Sequence, residues 1–257
     1  IEYQAIADVL GTRPLVVRTL DAGGDKPLPF VNFPAEDNPA LGLRGIRLSL
    51  QHPDLLDTQL RALLRVNSKT RLHIMLPMVT QAAEVEAVRA RLNALAKDLG
   101  VRRKLSLGIM VETPASAVLA ETLAEVVDFF SIGTNDLTQY TLAIDRGHAG
   151  LAAQIDALNP AVLRLIGMTA KAGADHEKWV GVCGAAASDL LAVPLLIGLG
   201  VTELSCAASR VPAVKSVIRT LDMGTCRAVA KVALGLSSAD AVRTLVRENW
   251  PQLADWA

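Results

Sequence analysis

Six short apolar runs, separated by stretches of helical periodicity, constrain the fold of this chain most strongly. The runs are Leu15–Leu20, Leu72–Met78, Leu107–Glu112, Val126–Ile132, Trp179–Cys183 and Glu203–Ala207. Runs of this length and composition are typical of strands that are buried on both faces of a parallel sheet. Because parallel strands are joined by crossover helices, the order of the runs predicts an α/β fold built from βα units.

Helical patterns lie between most of these runs. They are Gln81–Leu99, Ala115–Ala124, Ala161–Ala172, Ser188–Leu199 and Pro212–Leu221, followed by Thr225–Leu234 and Ser238–Asn249 in the tail. Polar residues follow nearly every strand: Arg18 and Asp21, Glu112, Asn135 and Asp136, and Cys183. In an open sheet such residues would spread along an edge, whereas in a closed barrel they meet on one face. Because so many candidate site residues lie at strand ends, a closed barrel, in which they converge, is favoured.

Composition narrows the possible functions. The 257 residues carry no net charge, so no general attraction to nucleic acid or to an anionic membrane is indicated. The three cysteines form neither a disulfide framework nor a zinc pattern, which favours the cytoplasm. No signal peptide or membrane span is apparent. Because the first residue is Ile and not Met, we expect the chain to begin inside a larger gene product or after processing.

Two carboxylates are candidate metal ligands. The segment from Ser131 to Arg146 starts as an apolar strand and then turns polar, which places the oxygens of Asp136 at a strand end. Glu112 ends the apolar stretch Gly108–Ile–Met–Val–Glu. A buried carboxylate needs a partner, which could be a metal ion, the N-terminus of the following helix or a neighbouring arginine. Together the two residues suit magnesium, which keeps its other positions for water and substrate.

Arginines and one cysteine complete the candidate set. Arg18 lies among apolar residues, so its partner is either an internal carboxylate or a bound phosphate. Arg146 offers a planar fork for phosphate or carboxylate. Arg44 precedes a predicted helix, and either it or Arg47 could be an ordinary exposed charge. Cys183 is either a buried hydrophobe or a proton-transfer group at its strand end.

The motifs resemble one family over essentially the whole chain. They are Val17–Arg–Thr–Leu–Asp–Ala–Gly–Gly–Asp–Lys26, Asn38–Pro–Ala–Leu–Gly–Leu–Arg44, Gly108–Ile–Met–Val–Glu–Thr–Pro114, the 131–146 segment and Cys183–Gly184. In this order they resemble the C-terminal phosphoenolpyruvate-binding domain of Enzyme I of the bacterial phosphoenolpyruvate:sugar phosphotransferase system. The same domain occurs in multidomain phosphoryl-transfer proteins. Pyruvate phosphate dikinase and phosphoenolpyruvate synthase share several pieces, but the first string and Gln139–Tyr140–Thr141 favour Enzyme I.

The resemblance implies a fold, a reaction and a role for each candidate. The fold would be a (β/α)8 TIM-type barrel, with residues 1–257 forming its phosphoenolpyruvate-binding domain. Glu112 and Asp136 would hold Mg2+, and Asp136 would thereby also contact the substrate. The residues implied to bind the phosphate are Arg18, Arg44, Arg146 and Asn135. Cys183 would protonate the enolate of enolpyruvate, which gives pyruvate.

The resemblance also implies partners. The phosphoryl group would pass to a histidine on a separate domain and then to the phosphocarrier protein that starts sugar uptake. A cytoplasmic homodimer, without nucleic acid and without membrane insertion, would be expected.

Three departures from the family pattern qualify this expectation. None of the four histidines lies in the Gly-Gly-x-x-Ser-His motif of the phosphoryl acceptor, so the phosphohistidine domain is expected to be absent. The family barrel has two further strands before Arg18, and only six strands are predicted here, so we expect an N-terminally truncated barrel. Ala185 stands where the family usually has Glu after Cys-Gly. A fragment of a dikinase or synthase, or a non-catalytic sensor of phosphoenolpyruvate, are the alternatives.

Overall fold

The computed structural model describes residues 2–31, 33, 35–67, 69, 71–103 and 105–256, and for residues 254–256 only the backbone. The chain divides into two compact units. The first comprises Ile1–Met110 and Val126–Phe129, and the second comprises Val111–Glu125 and Phe130–Ala257. None of the described helices combines the length and the apolar character needed to cross a membrane.

The described residues of the first unit form three strands and four α-helices. In chain order these are α1 (Glu2–Leu10), β1 (Leu15–Arg18), α2 (Ile46–Gln51), α3 (Pro53–Leu64), β2 (Leu72–Leu76), α4 (Ala82–Asp98) and β3 (Ser106–Val111, whose last residue belongs to the second unit). The strands are parallel: Arg18 pairs with Met75 between β1 and β2, and Leu76 pairs with Ile109 between β2 and β3. Because the strands are parallel, their carboxyl ends lie at the same edge of the sheet.

Local sequence signals explain these elements. Gln81 and Glu84 form a reciprocal capping box at the start of α4, which satisfies backbone donors that the first turn leaves open. Pro53 occupies the first turn of α3, where its missing N–H has no cost. The strands bury β-branched and aliphatic side chains, among which Ile74 and Leu107 are fully buried. Burial on this scale is what drives the sheet and its helices together.

The second unit contains three strands and eight helices in the described residues. The elements are α5 (Pro114–Val118), α6 (Ala120–Ala124), β4 (Phe130–Gly133), α7 (Thr134–Leu142), α8 (Pro160–Asp175), β5 (Val180–Cys183), α9 (Val193–Gly198), β6 (Glu203–Ser205), α10 (Val211–Arg219), α11 (Met223–Ala233) and α12 (Ala239–Asn249). The strands are again parallel: Gly133 pairs with Cys183, and Cys183 pairs with Ser205.

Helix α8 lies close against one face of β5. An ideal Cβ added at Gly173 would come within 2.3 Å of Cγ2 of Val180, so only glycine permits this approach. Helix α12 contacts two loops through Arg243. Its Nε lies 2.6 Å from Oδ2 of Asp156, and its Nη2 lies 2.9 Å from Oδ2 of Asp189.

The six predicted strands are confirmed, with shorter or shifted ends. Val126–Ile132 was the least accurate prediction, because the strand begins only at Phe130 and runs on to Gly133. Before Phe130, the Asp128 carboxylate accepts the N–H of Leu107 at 2.8 Å and so replaces a bond of the backbone ladder. The α/β fold with parallel strands is confirmed, and the eight-stranded barrel stays a prediction.

The helix predictions need three corrections. Ala115–Ala124 is two helices, because Leu119 leaves the helical conformation between them. Ser188–Leu199 is wrong for its first half: a short 3-10 helix ends at Ser188, and α9 starts only at Val193, with Pro194 in its first turn, where a missing N–H has no cost. Two helices, α3 and α7, were not specified by the sequence patterns, whereas α2 is the helix predicted after Arg44.

Candidate functional site

Arg18 and Arg44 belong to a cluster of charges after β1 in the first unit. The carboxylate of Asp21, whose side chain is fully buried, is its centre. Oδ2 of Asp21 lies 3.0 Å from Nη2 of Arg44, 3.1 Å from Nζ of Lys26 and 3.4 Å from Nη1 of Arg18. Nη1 of Arg44 also reaches Oδ2 of Asp25 at 3.1 Å. Three cations thus face two carboxylates, which leaves one net positive charge.

The same contacts perturb the central carboxylate. Burial acts to raise the pKa of Asp21, but the attraction and hydrogen bonds of Arg44, together with the charges of Arg18 and Lys26, hold this pKa below its ordinary value. Asp21 therefore stays ionised and fixes the three cations. Arg44 is completely buried, whereas Arg18 and Lys26 each expose 41% of the side chain.

A glycine permits this cluster to form. Gly23 makes a backbone bridge with Lys26 and another with Arg44. A Cβ at Gly23 would lie 2.4 Å from Cβ of Arg44 and 2.9 Å from the carbonyl oxygen of Leu43, closer than real side chains approach. The backbones of Gly23 and Arg44 therefore approach each other closely. Arg47, the other candidate beside Arg44, is half-buried and donates to the carbonyl oxygens of residues 41 and 42.

Glu112, in the second unit, directly follows β3 and is buried. It does not cap the next helix: Thr113 does, since its Oγ1 accepts the N–H of Ser116 at 3.1 Å, and Pro114 occupies the first turn of α5. The oxygen donor of Glu112 remains at the end of a strand, where the sequence predicted it.

Asp136 and Arg146 come together at the end of β4. Gly133 ends the strand and caps α7, which places Asp136 in the first helical turn, where the helix dipole favours a carboxylate. Oδ1 of Asp136 lies 3.4 Å from Nη1 of Arg146, whose side chain is 37% exposed. The backbone N–H of Arg146 donates to Oε1 of Gln139 at 3.0 Å, which holds the loop after α7. The segment from Ser131 to Arg146 thus brings a carboxylate and an arginine together.

Asn135 and Cys183 join the ends of β4 and β5. Oδ1 of the exposed Asn135 accepts the N–H of Ala185 at 2.9 Å. The thiol of Cys183 donates to the carbonyl oxygen of Ile132 at 3.4 Å and accepts from the hydroxyl of Ser131 at 3.6 Å. Cys183 and Cys206 are half-buried, whereas Cys226 is buried.

Glu112 and Asp136, which follow β3 and β4, are the two candidate metal ligands of the second unit. Among the described residues, no group of three or more His, Cys, Asp and Glu side chains could hold an ion. Magnesium commonly uses one or two protein carboxylates and takes its other ligands from water and substrate phosphate. Buried Glu112 and nearly buried Asp136 are of this kind, so the donor set fits magnesium better than zinc.

A comparison with protein families decides what kind of chain carries these residues. Residues 1–223 match the family described as PEP-utilising enzyme, PEP-binding domain. The chain belongs to this family.

Relatives of this PEP-binding domain come from several bacteria. The chain is 48% identical over 244 residues to the multiphosphoryl transfer protein of Xanthomonas campestris pv. campestris, covering 95% of this chain and 29% of that protein. It is 40% identical to the phosphoenolpyruvate-protein phosphotransferase of Buchnera aphidicola subsp. Acyrthosiphon pisum and 45% identical to that of Mycoplasma genitalium. These matches cover 96% and 97% of this chain and 44% of each relative. The chain therefore spans less than half the length of these relatives.

A solved structure supports the fold of the PEP-binding domain. A citrate lyase from Burkholderia xenovorans LB400 superposes with a TM-score of 0.50 at 16% sequence identity, covering 76% of this chain and 69% of that one. At this identity the likeness concerns the fold alone.

Sequence reasoning missed two participants in these contacts. Asp21 was recognised as a polar strand end, but not as the partner of three cations; its position three residues after Arg18 was the available signal. Ser131 was assigned only to a strand. Ser131 lies two residues before Gly133, so both residues belong to the same face of the strand. This spacing is the sequence signal that could have placed Ser131 on the face of the site.

Proposed function

We propose that this chain binds phosphoenolpyruvate with Mg2+ and that its phosphoryl group passes to a histidine on a separate domain, releasing pyruvate. In this proposal the reaction is the first step of sugar uptake by a phosphotransferase system, in the cytoplasm. Placement of Glu112, the Asp136–Arg146 pair and Cys183 at successive strand ends, in a chain of the PEP-binding family, carries the proposal.

The arginines would bind the anionic substrate. Arg18 and Arg146 are partly exposed and each carries more N–H donors than its carboxylate contact uses, so each can also accept a phosphate or carboxylate oxygen. Asn135 would add a polar contact from the first turn of α7. Arg44 stays a predicted ligand of the phosphate. Its ion pairs with Asp21 and Asp25 compensate its buried charge within the first unit.

Glu112 and Asp136 would hold the magnesium ion. When bound, this ion neutralises charge on the transferring phosphoryl group and on the substrate carboxylate. Asp136 would then contact both the ion and Arg146, which links metal binding to the orientation of an arginine. The buried position of Glu112 limits the water around its carboxylate and strengthens its interaction with a cation.

Cys183 would act after the phosphoryl group has left. Departure of the phosphoryl group generates the enolate of pyruvate, and the thiol would donate its proton to the enolate carbon. The contact of the thiol with the carbonyl oxygen of Ile132 keeps its proton at a defined position until then.

Partners follow from the same proposal. The acceptor would be a phosphohistidine domain, and the phosphocarrier protein of the system would take the group from it. A homodimer is expected. The names of the relatives favour this proposal over a dikinase or synthase fragment. Ala185 favours one second candidate, a domain that binds phosphoenolpyruvate without turning it over, since a carboxylate beside the acid is missing.

Calorimetric titration of the 257-residue chain with phosphoenolpyruvate tests the binding part of the proposal. We expect heat of binding with Mg2+ and its loss after EDTA. Binding that survives EDTA would contradict the metal assignment, and the absence of binding in magnesium would contradict the proposal for this chain. Pyruvate release on adding a phosphohistidine domain then separates the enzyme from the non-catalytic sensor.

A further inference from the structure

We propose that Ser131 is a positioning residue for Cys183. The hydroxyl of Ser131 orients the Cys183 thiol and stabilises the thiolate that remains after proton donation. This inference rests on the proposed function, in which Cys183 protonates the enolate. It adds a residue to that step, and it can be tested without any substrate.

The contact geometry defines both ends of the thiol. The Ser131 hydroxyl donates to Sγ of Cys183 at 3.6 Å, while Sγ donates to the carbonyl oxygen of Ile132 at 3.4 Å. One side of the sulfur thus accepts a hydrogen bond and the other gives one, which fixes the rotation of the side chain. Ser131 is buried, so little water competes for its hydroxyl.

The strand register explains why these two side chains meet. Ser131 pairs with Gly181 and Gly133 pairs with Cys183 across β4 and β5, so the four residues form two neighbouring pairs on one sheet face. Ser131 and Cys183 occupy one diagonal, and glycines occupy the other. Diagonal neighbours are normally far apart for short side chains, but here neither residue of the other diagonal has a side chain of its own. The glycines therefore make room for the contact.

The charged groups around this face would mostly oppose a thiolate. Glu203 on β6 pairs with Gly181 and so shares the face, and Asp136 follows β4 with its partner Arg146. The charges of α8 belong to the other face, because Gly173 of this helix packs against Val180. The short 3-10 helix Ala185–Ser188 carries no charge.

Two anions and one paired cation thus lie on elements next to Cys183, and nearby anions disfavour a thiolate. The Ser131 hydroxyl is the neutral donor that favours it. Its hydrogen bond strengthens when the sulfur becomes charged, since a charge-assisted hydrogen bond is stronger than a neutral one.

The proton-transfer step balances as follows. The S–H bond of Cys183 breaks, and its electron pair stays on the sulfur as a thiolate. A C–H bond forms at the terminal carbon of the enolate from the electrons of the carbon–carbon double bond, which yields the methyl group of pyruvate. The thiolate then recovers a proton from water. The Ser131 O–H lowers the free energy of the thiolate and thereby makes Cys183 a stronger acid.

Alkylation of Cys183 as a function of pH tests the inference directly, because only the thiolate reacts. The experiment uses the full chain, iodoacetamide and mass spectrometry of the peptide that contains Cys183. We expect Ser131→Ala to move the pH midpoint upwards by about one unit, equivalent to about a tenfold loss of thiolate at a fixed pH. Half-buried Cys206, followed in the same samples, should keep its own profile and thereby reports that the fold is intact.

Ser205→Ala is the matched control. Ser205 pairs with Cys183 on its other side, in β6, so this variant removes the same hydroxyl group from a neighbouring strand. Its Cys183 profile should equal that of the unchanged chain. An unshifted midpoint in Ser131→Ala, or an equal shift in Ser205→Ala, would overturn the inference.

A second measurement separates this inference from the proposed function. With a phosphohistidine domain added, Ser131→Ala should lower the rate of pyruvate release about tenfold and leave the dissociation constant of phosphoenolpyruvate unchanged. If the unchanged chain releases no pyruvate, the proposed function fails, and the alkylation profiles still decide whether Ser131 controls Cys183. If Ser131→Ala releases pyruvate at the full rate, the inference fails and the proposed function stands.

Discussion

Asp21→Asn removes the carboxylate on which three cations converge in the first unit. Asp21 and Arg44 are both fully buried, and removing one partner of a buried ion pair costs about 3–5 kcal/mol in the free energy of unfolding. Because Asp25 still reaches Arg44 at 3.1 Å, we expect the lower end of that range, about 3 kcal/mol. Urea unfolding followed by circular dichroism measures the change at neutral pH.

Asp25→Asn is the matched control for this variant. Asp25 contacts the same arginine, but its side chain is 20% exposed and makes one described contact with it. We expect a loss of about 1 kcal/mol, as for an ordinary hydrogen bond. Equal losses in the two variants would refute the view that Asp21 is the centre of the cluster.

The pH dependence of stability provides a second readout. Since folding lowers the pKa of Asp21, the stabilisation is present above the pKa of the unfolded chain and is lost as the pH falls towards the folded value. The unchanged chain should therefore lose stability below about pH 4. Asp21→Asn should lose less over the same range, and an identical acid dependence would show that other carboxylates dominate.

Two further predictions concern the second unit. Arg146→Ala should weaken phosphoenolpyruvate binding by at least tenfold in calorimetry, because a charge-assisted contact is worth about 1.5–3 kcal/mol. The control Arg164→Ala loses bonds to the carbonyl oxygen of residue 234 and should bind phosphoenolpyruvate normally. Equal affinities of the two variants would remove Arg146 from the site. Gly184→Ala should lower the free energy of unfolding, measured by thermal unfolding, by about 1–3 kcal/mol more than Gly200→Ala. Both glycines have positive φ, but only a Cβ at Gly184 would lie 2.7 Å from Oγ1 of Thr134. Similar losses in the two variants would show that backbone strain alone determines the destabilisation.

Strands were predictable because burial on both faces leaves a continuous apolar signal. The predicted strand Leu72–Met78 is two residues longer than the observed strand Leu72–Leu76. The predicted strand Leu107–Glu112 is shifted by one residue from the observed strand Ser106–Val111. Helix α7 was not predictable in this way, since Thr134–Leu142 begins with polar residues and directly follows a strand. The turn at Gly133 and the buried side chain of Leu137 fix this helix, and both depend on tertiary packing.

Candidate residues were predictable as positions, but their contacts were not. Arg18 needed an anion, and the sequence left open whether an internal carboxylate or a phosphate supplies it; the structure shows Asp21. The contact of Asp21 with Arg44 joins residues 23 positions apart, which no local pattern reveals. Ser131 and Cys183 are 52 positions apart, and their contact depends on the register of two strands.

The most direct test of the proposed function is phosphoryl transfer in trans. The chain is mixed with Mg2+, phosphoenolpyruvate labelled in its phosphoryl group and a phosphohistidine domain that carries the Gly-Gly-x-x-Ser-His motif. Label on the domain and released pyruvate are measured together, for the unchanged chain and for Cys183→Ala. The proposal predicts both products from the unchanged chain, and strongly reduced pyruvate from the variant despite normal binding of phosphoenolpyruvate. Binding without any label on the domain would contradict the proposal and identify the chain as a domain that only binds phosphoenolpyruvate.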